Sequence, residues 1–190
     1  KQLTIKEASK HYNKTVLDDL QKIIQPHYLG VDRINIRKEY KDKTVIFNHR
    51  GAGYTGWSWF CEAMDKLWEK RQDFKVWIPL FEGDVPREYM TNEKFDKKGY
   101  YNKLRDCCVG FAPQQKYGGW SVAATDGLMN GCPYIFYDGE YYHELQDNAD
   151  FFTTTDESIA LLEKYLDDVD YRNEKSRTAQ QWLRDNLLYK

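Results

Sequence analysis

The sequence contains no apolar run long enough to cross a bilayer and no segment with the pattern of a secretory signal peptide. It has only 4 cysteines, and no two of them have the spacing of metal ligands. Two of them, Cys107 and Cys108, are adjacent within an apolar run. We therefore expect all of them to be reduced thiols of the core in a cytoplasmic protein, with neither a metal site nor a cofactor.

The chain also lacks a dominant charge. Its 28 basic and 30 acidic residues give a net charge of −2, which provides no overall attraction to nucleic acid. The distribution is uneven: basic residues outnumber acids from Lys1 to Arg50, whereas Lys164 is the only base from Asp138 to Asp170. This pattern fits either a basic surface formed by the first part of the chain or ordinary solvated faces.

Short apolar segments alternate with helical patterns, and this alternation predicts a parallel α/β sheet flanked by helices. The predicted strands are 43–48, 74–80, 107–113, 134–137 and 149–152. Helices are predicted over about 6–24, 57–70 and 100–106, before Gly131, after a capping box at Thr154 and Glu157, and over 170–188, with a helical turn over 140–145. The polar stretch 82–98 is predicted to be mostly loop.

Three loops follow predicted strands, and they should meet at one edge because ligands of parallel sheets bind at the carboxyl ends of the strands. The loops are 49–56, 81–84 and 114–121. They bring together Arg50, two glycine-rich turns and the beginning of a helix near Trp120. This combination suits the binding of a diphosphate, because an arginine and the amides at the beginning of a helix both bind phosphate. Asp126, about two turns into that helix, is placed to accept hydrogen bonds from ribose hydroxyls. The alternative interpretation is an ordinary loop, helix and strand of an α/β domain.

The segment from Thr44 to Phe152 resembles the C-terminal, donor-binding domain of the GT-B glycosyltransferases, particularly the large retaining family. In that family Gly-Arg or His-Arg follows a strand, with Lys-Gly a few residues later. The corresponding pairs here are His49-Arg50 and Thr55-Gly56. The family also carries two glutamates eight positions apart, followed by Gly-x-Pro. The same frame here contains Gly118, Gly119, Trp120, Ser121, Asp126 and Gly131-Cys132-Pro133.

The resemblance implies a Rossmann-like parallel sheet, one half of a GT-B fold, that binds a nucleoside diphosphate sugar, expected to be a UDP-sugar. It implies that Arg50 contacts the donor diphosphate and that Asp126 binds the ribose, with the base near Phe81 and the segment 111–114. The other donor-binding positions that it implies are Gly51, Thr55, Lys116, Gly118, Gly119, Trp120, Ser121 and Val122.

Two positions depart from the family pattern. Thr55 occupies the place of the lysine that accompanies the arginine, and Gly118 that of the glutamate that contacts the sugar. Lys116 is close enough in sequence to replace the lost positive charge. Residues 1–42 are predicted to be a terminal helix and connector from an N-terminal acceptor domain, and residues 43–190 to be the nucleotide-sugar-binding domain. The chain is thus expected to be a fragment, or a subunit that needs a partner.

Three functions are compatible with these features. The first is a glycosyltransferase domain that binds a nucleoside diphosphate sugar for transfer of a hexosyl group to an acceptor. The second is a glycosyltransferase acting on modified bases of viral DNA, so that its acceptor is nucleic acid. The third is a non-catalytic nucleotide-binding or scaffold domain, which the missing lysine and glutamate favour. The sequence identifies no catalytic residue.

Overall fold

The computed structural model of the chain describes residues 10–11, 13–23, 31, 33–116, 121–139 and 142–188. It contains a six-stranded sheet with the order β3-β2-β1-β4-β5-β6, in which every neighbouring pair is parallel. The strands are β1 Asp42–Ile46, β2 Lys75–Trp77, β3 Met90–Thr91, β4 Cys107–Ala112, β5 Tyr134–Tyr137 and β6 Asp150–Phe152. The predicted fold class, a Rossmann-like α/β sheet, is confirmed.

Helices cover both faces of this sheet. They are α1 Lys14–Ile23, α2 Trp57–Lys70, α3 Lys97–Asp106, α4 Val122–Met129, α5 Thr155–Asp167 and α6 Val169–Asn186, with short 3-10 segments at Gly53–Thr55 and His143–Asn148. Across the described ranges, no helix combines the length and the apolar character that a bilayer span requires.

The central strands separate two apolar layers. All six residues of β4 are buried, as expected for a parallel strand with helices on both sides. Successive residues of β1 point to opposite faces: Val45 packs in the layer that contains α2 and α5, and Ile46 in the layer that contains α3, α4 and α6. The central strands are therefore covered on both faces, and the loops that follow them lie at their carboxyl ends.

The four cysteines are free thiols. Cys107, Cys108 and Cys132 are buried, in agreement with the predicted core positions. Cys61 is half-buried on α2, so it lies at the margin of the core rather than inside it.

The structure differs from the sequence prediction mainly between residues 82 and 98. Here β3 pairs with β2 inside the stretch predicted to be loop. This strand was not predicted, because a segment of two residues is too short to show an alternating pattern. Helix α3 begins at Lys97 rather than Tyr100. The Asp96 carboxylate caps it by accepting a hydrogen bond of 2.7 Å from the Gly99 amide.

Other boundaries shift by a few residues. Of the helix predicted over 6–24, the structure describes α1 from Lys14, and residues 1–9 lie outside the described part. The turn predicted over 140–145 is the 3-10 segment His143–Asn148. The last helix, predicted over 170–188, is α6 and ends at Asn186.

The connector, residues 33–41, is fixed against the sheet domain. The Asn35 amide donates to the Met129 carbonyl at 2.9 Å, and the Gln180 side chain donates to the Asn35 carbonyl at 3.0 Å. Lys41 is buried and donates to the Arg105 carbonyl at 2.9 Å. The connector therefore packs on the domain that follows it, whereas the assignment of residues 1–42 to a separate acceptor domain stays a prediction.

Candidate functional site

A cavity of about 660 Å³ opens at the carboxyl edge of the sheet, and we call it the polar cleft. Segments that follow three neighbouring strands line it together with the facing sides of α3 and α4. Its lining comprises Asn48, Arg50, Pro79, Leu80, Glu82, Lys94, Phe95, Lys97, Tyr100, Val122, Ala123 and Asp126. Arg50, Val122 and Asp126, which the sequence places in one site, thus line one cavity.

Asn48 ties the end of β1 to both helices beside the cleft. Its side-chain amide donates to the Ala123 carbonyl at 2.6 Å and to the Tyr100 hydroxyl at 3.0 Å. Its side-chain oxygen accepts a hydrogen bond of 2.8 Å from the Tyr134 hydroxyl. The Tyr134 ring packs directly against Gly127, where an added Cβ would lie 2.1 Å from the ring. Asn48, which is fully buried, therefore fixes where Arg50 emerges relative to α4.

The loop that carries Arg50 is closed on itself. The Thr55 hydroxyl lies 2.6 Å from the carbonyl oxygens of both Arg50 and Ala52, and it donates its proton within the loop. Thr55 was predicted to bind the donor, but its side chain is buried and points inward, so it shapes the loop. Gly51 is required for close approach, because a Cβ there would lie 2.4 Å from the Phe81 ring. The Arg50 side chain remains exposed at the cleft.

The beginning of α4 forms the opposite wall. Ser121 caps the helix, since its hydroxyl oxygen accepts a hydrogen bond of 3.3 Å from the Ala124 amide. The Ser121 amide, predicted to donate to a diphosphate, already donates to the Tyr142 hydroxyl at 2.7 Å. Val122 is 58% exposed and lines the cleft. Gly118, Gly119 and Trp120 lie outside the described residues, so their predicted contacts stay predictions.

Asp126 lies half-buried on the cleft side of α4. Burial raises the pKa of its carboxyl to about 6, and the positive charge of Lys97 opposes this shift. None of the hydrogen bonds or ion pairs given for the described part of the chain engages this carboxyl group. It is therefore available as an acceptor for hydroxyl groups of a ligand.

Charges of both signs border the cleft. Arg50, Lys94 and Lys97 are cationic, and Glu82 and Asp126 are acidic. Among the residues that the structure describes, no three His, Cys, Asp or Glu side chains come together in a way that could hold a metal ion. The cationic side chains and the beginning of α4 can attract an anionic ligand to this part of the surface.

Several solved structures share this fold. The TarM crystal structure aligns with a TM-score of 0.70 at 12% identity, over 98% of this chain and 43% of TarM. The C-terminal domain of LpcC, a group 1 family glycosyl transferase from Francisella tularensis, gives 0.59 at 13% identity, over 80% of this chain and 90% of that domain. The E. coli trehalose-6-phosphate structure with bound UDP-2-fluoro glucose gives 0.62 at 15% identity, over 77% and 41% of the two chains.

The chain has the fold of a GT-B glycosyltransferase C-terminal domain. It spans less than half the length of the TarM chain and of the E. coli chain. No protein-family model matches the sequence, and no curated protein matches it either. The evidence for the GT-B fold is therefore the structure.

The structure changes the expected surroundings of a base. Phe111, predicted to lie near it, is fully buried and packs against Phe60 and Phe152 at ring-centroid distances of 5.4 and 5.0 Å. The Phe111 ring therefore cannot contact a base, because it belongs to a strand buried on both faces, whereas the position of the base near Phe81 and the rest of the segment 111–114 stays a prediction. Phe81 is half-buried and stacks on Trp57 at 5.1 Å, beside Arg50 and Gly51 in a smaller cavity.

Phe95 is the aromatic side chain that lines the polar cleft with substantial exposure, at 41%. It lies in the polar stretch 82–98, which is predicted to be mostly loop and carries no motif that would indicate a site. Lys116 is exposed, and its amide donates to the Tyr54 carbonyl at 2.9 Å, which joins the loop after β4 to the Arg50 loop. Lys116 does not line the cleft, so its predicted role as a replacement charge stays a prediction.

Proposed function

We propose that the polar cleft binds the nucleoside diphosphate part of a sugar donor, and that this GT-B domain is the donor-binding half of a glycosyltransferase that transfers a hexosyl group. The observation that carries this proposal is that Arg50, the beginning of α4 and Asp126 line one cavity. A guanidinium and the amino end of a helix both attract phosphate oxygens. A half-buried carboxylate is a good acceptor for the two hydroxyls of a ribose.

The nucleoside would extend from Asp126 toward Phe95. An exposed aromatic ring offers a stacking surface for a base whatever its hydrogen-bonding pattern. The volume of about 660 Å³ is in the range of small-molecule sites. Because one structural neighbour contains UDP-2-fluoro glucose, UDP is the nucleotide to test first.

In the proposed reaction, the bond between the sugar and the diphosphate breaks and negative charge develops on the departing phosphate oxygen. Arg50, assisted by Lys97, would stabilise that charge, and stabilisation of developing charge lowers the barrier to transfer. Asp126 would hold the nucleoside in place and take no part in bond breaking. The catalytic group and the acceptor are not assigned.

Calorimetric titration with UDP and UDP-sugars tests this function. Arg50→Ala should weaken UDP binding about thirtyfold, since a charge-assisted hydrogen bond contributes roughly 2 kcal/mol. Asp126→Ala should weaken it about tenfold through loss of the ribose contact. Arg184→Ala and Asp147→Ala remove the same side chains from exposed positions elsewhere and should leave the affinity unchanged.

Two results would oppose the proposal. One is unchanged affinity of both cleft variants, which would place the nucleotide elsewhere. The other is a folded protein that binds no nucleoside diphosphate at all, which would favour a scaffold domain.

A further inference from the structure

A second cavity, of about 400 Å³, lies on the outer side of α3, where the connector passes. We call it the basic groove. Seven residues line it, and four of them are cationic: Arg33, Lys97, Lys98 and Arg105. None of the lining residues is acidic. This concentration of one sign contrasts with the net charge of −2 of the whole chain.

Two carboxylates at the ends of α3 are engaged elsewhere. Asp96 accepts a hydrogen bond of 2.7 Å from the Gly99 amide as the cap of α3. Asp106, at the other end of the helix, pairs with Lys38. None of the ion pairs given for the described residues involves a cation that lines the groove. No ion pair in the described part of the protein therefore neutralises Arg33, Lys98 or Arg105, whereas Lys97 also interacts electrostatically with the Asp126 carboxyl of the polar cleft.

Two further observations concern the cations of the groove. Arg33 and Lys97 both lie over the Tyr101 ring, at 5.2 and 5.8 Å from its centroid, so this ring contacts a cation from the connector and one from α3. The Nε atom of Arg105 is buried and has no hydrogen-bond partner. An unpaired guanidinium nitrogen is unfavourable unless a ligand or solvent satisfies it.

The connector brings Arg33 to α3 and holds it there. Besides the backbone contacts of Asn35, the Asn35 side chain donates to the Asn130 side-chain oxygen at 2.5 Å. Gly131 leaves room for the connector, since a Cβ there would lie 2.5 Å from the Cβ of Arg37. The groove thus has two fixed walls, one from the connector and one from α3.

The cations are arranged in a line rather than around one point. Lys97 and Arg105 lie at opposite ends of α3, and eight helical residues span about 12 Å. A single phosphate could contact one end of this line only, whereas a chain of phosphates could contact its whole length. Lys97 also lines the polar cleft, so a ligand along the groove would reach the mouth of that cleft.

We propose that the basic groove binds the sugar-phosphate backbone of a nucleic acid strand. Arg33, Lys98 and Arg105 would contact successive phosphates, which position a strand without reading its sequence. This inference does not depend on the proposed function of the polar cleft, because each site has residues that the other lacks. Together the two proposals would place a nucleic acid next to a sugar donor.

Fluorescence anisotropy with a labelled oligothymidylate, measured over a series of salt concentrations, tests the groove in the 190-residue chain. The variant Arg33→Gln/Lys98→Gln removes two exposed charges and spares Lys97. It should bind about tenfold more weakly at low salt. The slope of log affinity against log salt should become shallower by about 1.4, because each lost phosphate contact contributes about 0.7 for a single strand.

A matched variant, Lys70→Gln/Lys75→Gln, removes two exposed positive charges from α2 and β2 and should retain the wild-type affinity and slope. If both variants bound the oligonucleotide equally more weakly than the wild type, the proposal would be overturned, because the loss would then reflect only the net charge of the protein. Polyglutamate that competes as well as unlabelled oligonucleotide would also overturn it, because the groove would then recognise any polyanion.

UDP titrations separate the two sites. The groove variant should bind UDP as the wild type does, and Asp126→Ala should lose UDP affinity while it retains the oligonucleotide. Failure of UDP binding alone would remove the donor proposal and leave the groove proposal intact. Oligonucleotide binding that is lost in Asp126→Ala and kept in the groove variant would place the strand in the polar cleft and overturn the groove assignment.

Discussion

The polar cleft and the basic groove lie on two sides of α3 and share Lys97, but they are built from different kinds of residue. The cleft depends on the buried side chain of Asn48 and presents a half-buried carboxylate, that of Asp126. The groove is lined mainly by cations that are exposed or half-exposed, and it has no carboxylate. Recognition of hydroxyl groups requires an acceptor in a fixed position, whereas recognition of a phosphate chain requires mainly positive charge.

This contrast suggests different sensitivities to substitution. Changes inside the cleft should alter folding stability and small-ligand binding together, because the same buried hydrogen bonds support both. Changes at the rim of the groove should alter binding with little effect on stability, since exposed charges contribute little to it.

Asn48→Leu should have the largest effect. The substitution removes three hydrogen bonds of the Asn48 side chain, those to Tyr100, Ala123 and Tyr134. The longer contact of 3.5 Å between the Tyr134 hydroxyl and the Ala123 carbonyl is retained, and the free energy of unfolding should fall by roughly 3 kcal/mol. UDP binding should be lost, because Arg50 and α4 are no longer held in their relative positions. Urea denaturation and a UDP titration, both at a temperature where the variant is folded, measure the two effects.

A matched variant exists on the groove side. Asn130 is also fully buried, and its side-chain oxygen accepts a hydrogen bond from Asn35 of the connector. Asn130→Leu should destabilise the protein by about 2 kcal/mol and weaken oligonucleotide binding, because Arg33 is released. If both variants lost UDP binding and both lost oligonucleotide binding, the cleft and the groove would form one cooperative unit.

The sequence was sufficient to predict the residues that follow the central strands. Val45–Phe47 and 107–112 are short apolar runs, so their carboxyl ends could be located, and Arg50 and Asp126 could be placed on one edge. Asn48 was seen only as the last residue of a strand. Its importance comes from Tyr100, Ala123 and Tyr134, which are distant in sequence, and no local pattern records such contacts.

The edge of the sheet was less predictable. β3 has two residues, and the stretch around it is polar, so neither the strand nor the early beginning of α3 at Lys97 was expected. Phe95 and the cations of α3 were therefore not connected to a site. For Thr55 and Ser121 the opposite holds: their positions were predicted, but the role of their polar groups was not. The resemblance marked their positions, but their polar groups are engaged with the protein itself.

The pH dependence of stability should reveal the buried carboxyl of the cleft. Burial raises the pKa of Asp126 from 3.8 to about 6, so the folded state binds this proton more tightly than the unfolded chain does. The contribution of Asp126 to stability is therefore most favourable below about pH 4, declines as the pH rises through 6, and stays low above it. Wild type should lose about 2 kcal/mol relative to Asp126→Asn between pH 4 and 7.

Urea denaturation of both proteins at several pH values measures this difference. Asp147→Asn, measured in parallel, controls for removal of an exposed carboxylate. A constant difference between wild type and Asp126→Asn across the range would mean that the carboxyl is solvated. The polar cleft would then resemble the basic groove in being an open surface.

Phe95→Ala should have the smallest effect, because the ring is 41% exposed and contributes little to the core. If a base stacks on it, UDP binding should weaken about fivefold, corresponding to roughly 1 kcal/mol. Inorganic pyrophosphate has no base, so its binding should not change. Tyr40→Ala, which removes a ring that is 84% exposed on the connector, is the matched control. Equal losses of affinity for UDP and for pyrophosphate would mean that Phe95 supports the shape of the cleft and that the base lies elsewhere. The donor proposal would then depend on Arg50 and Asp126 alone.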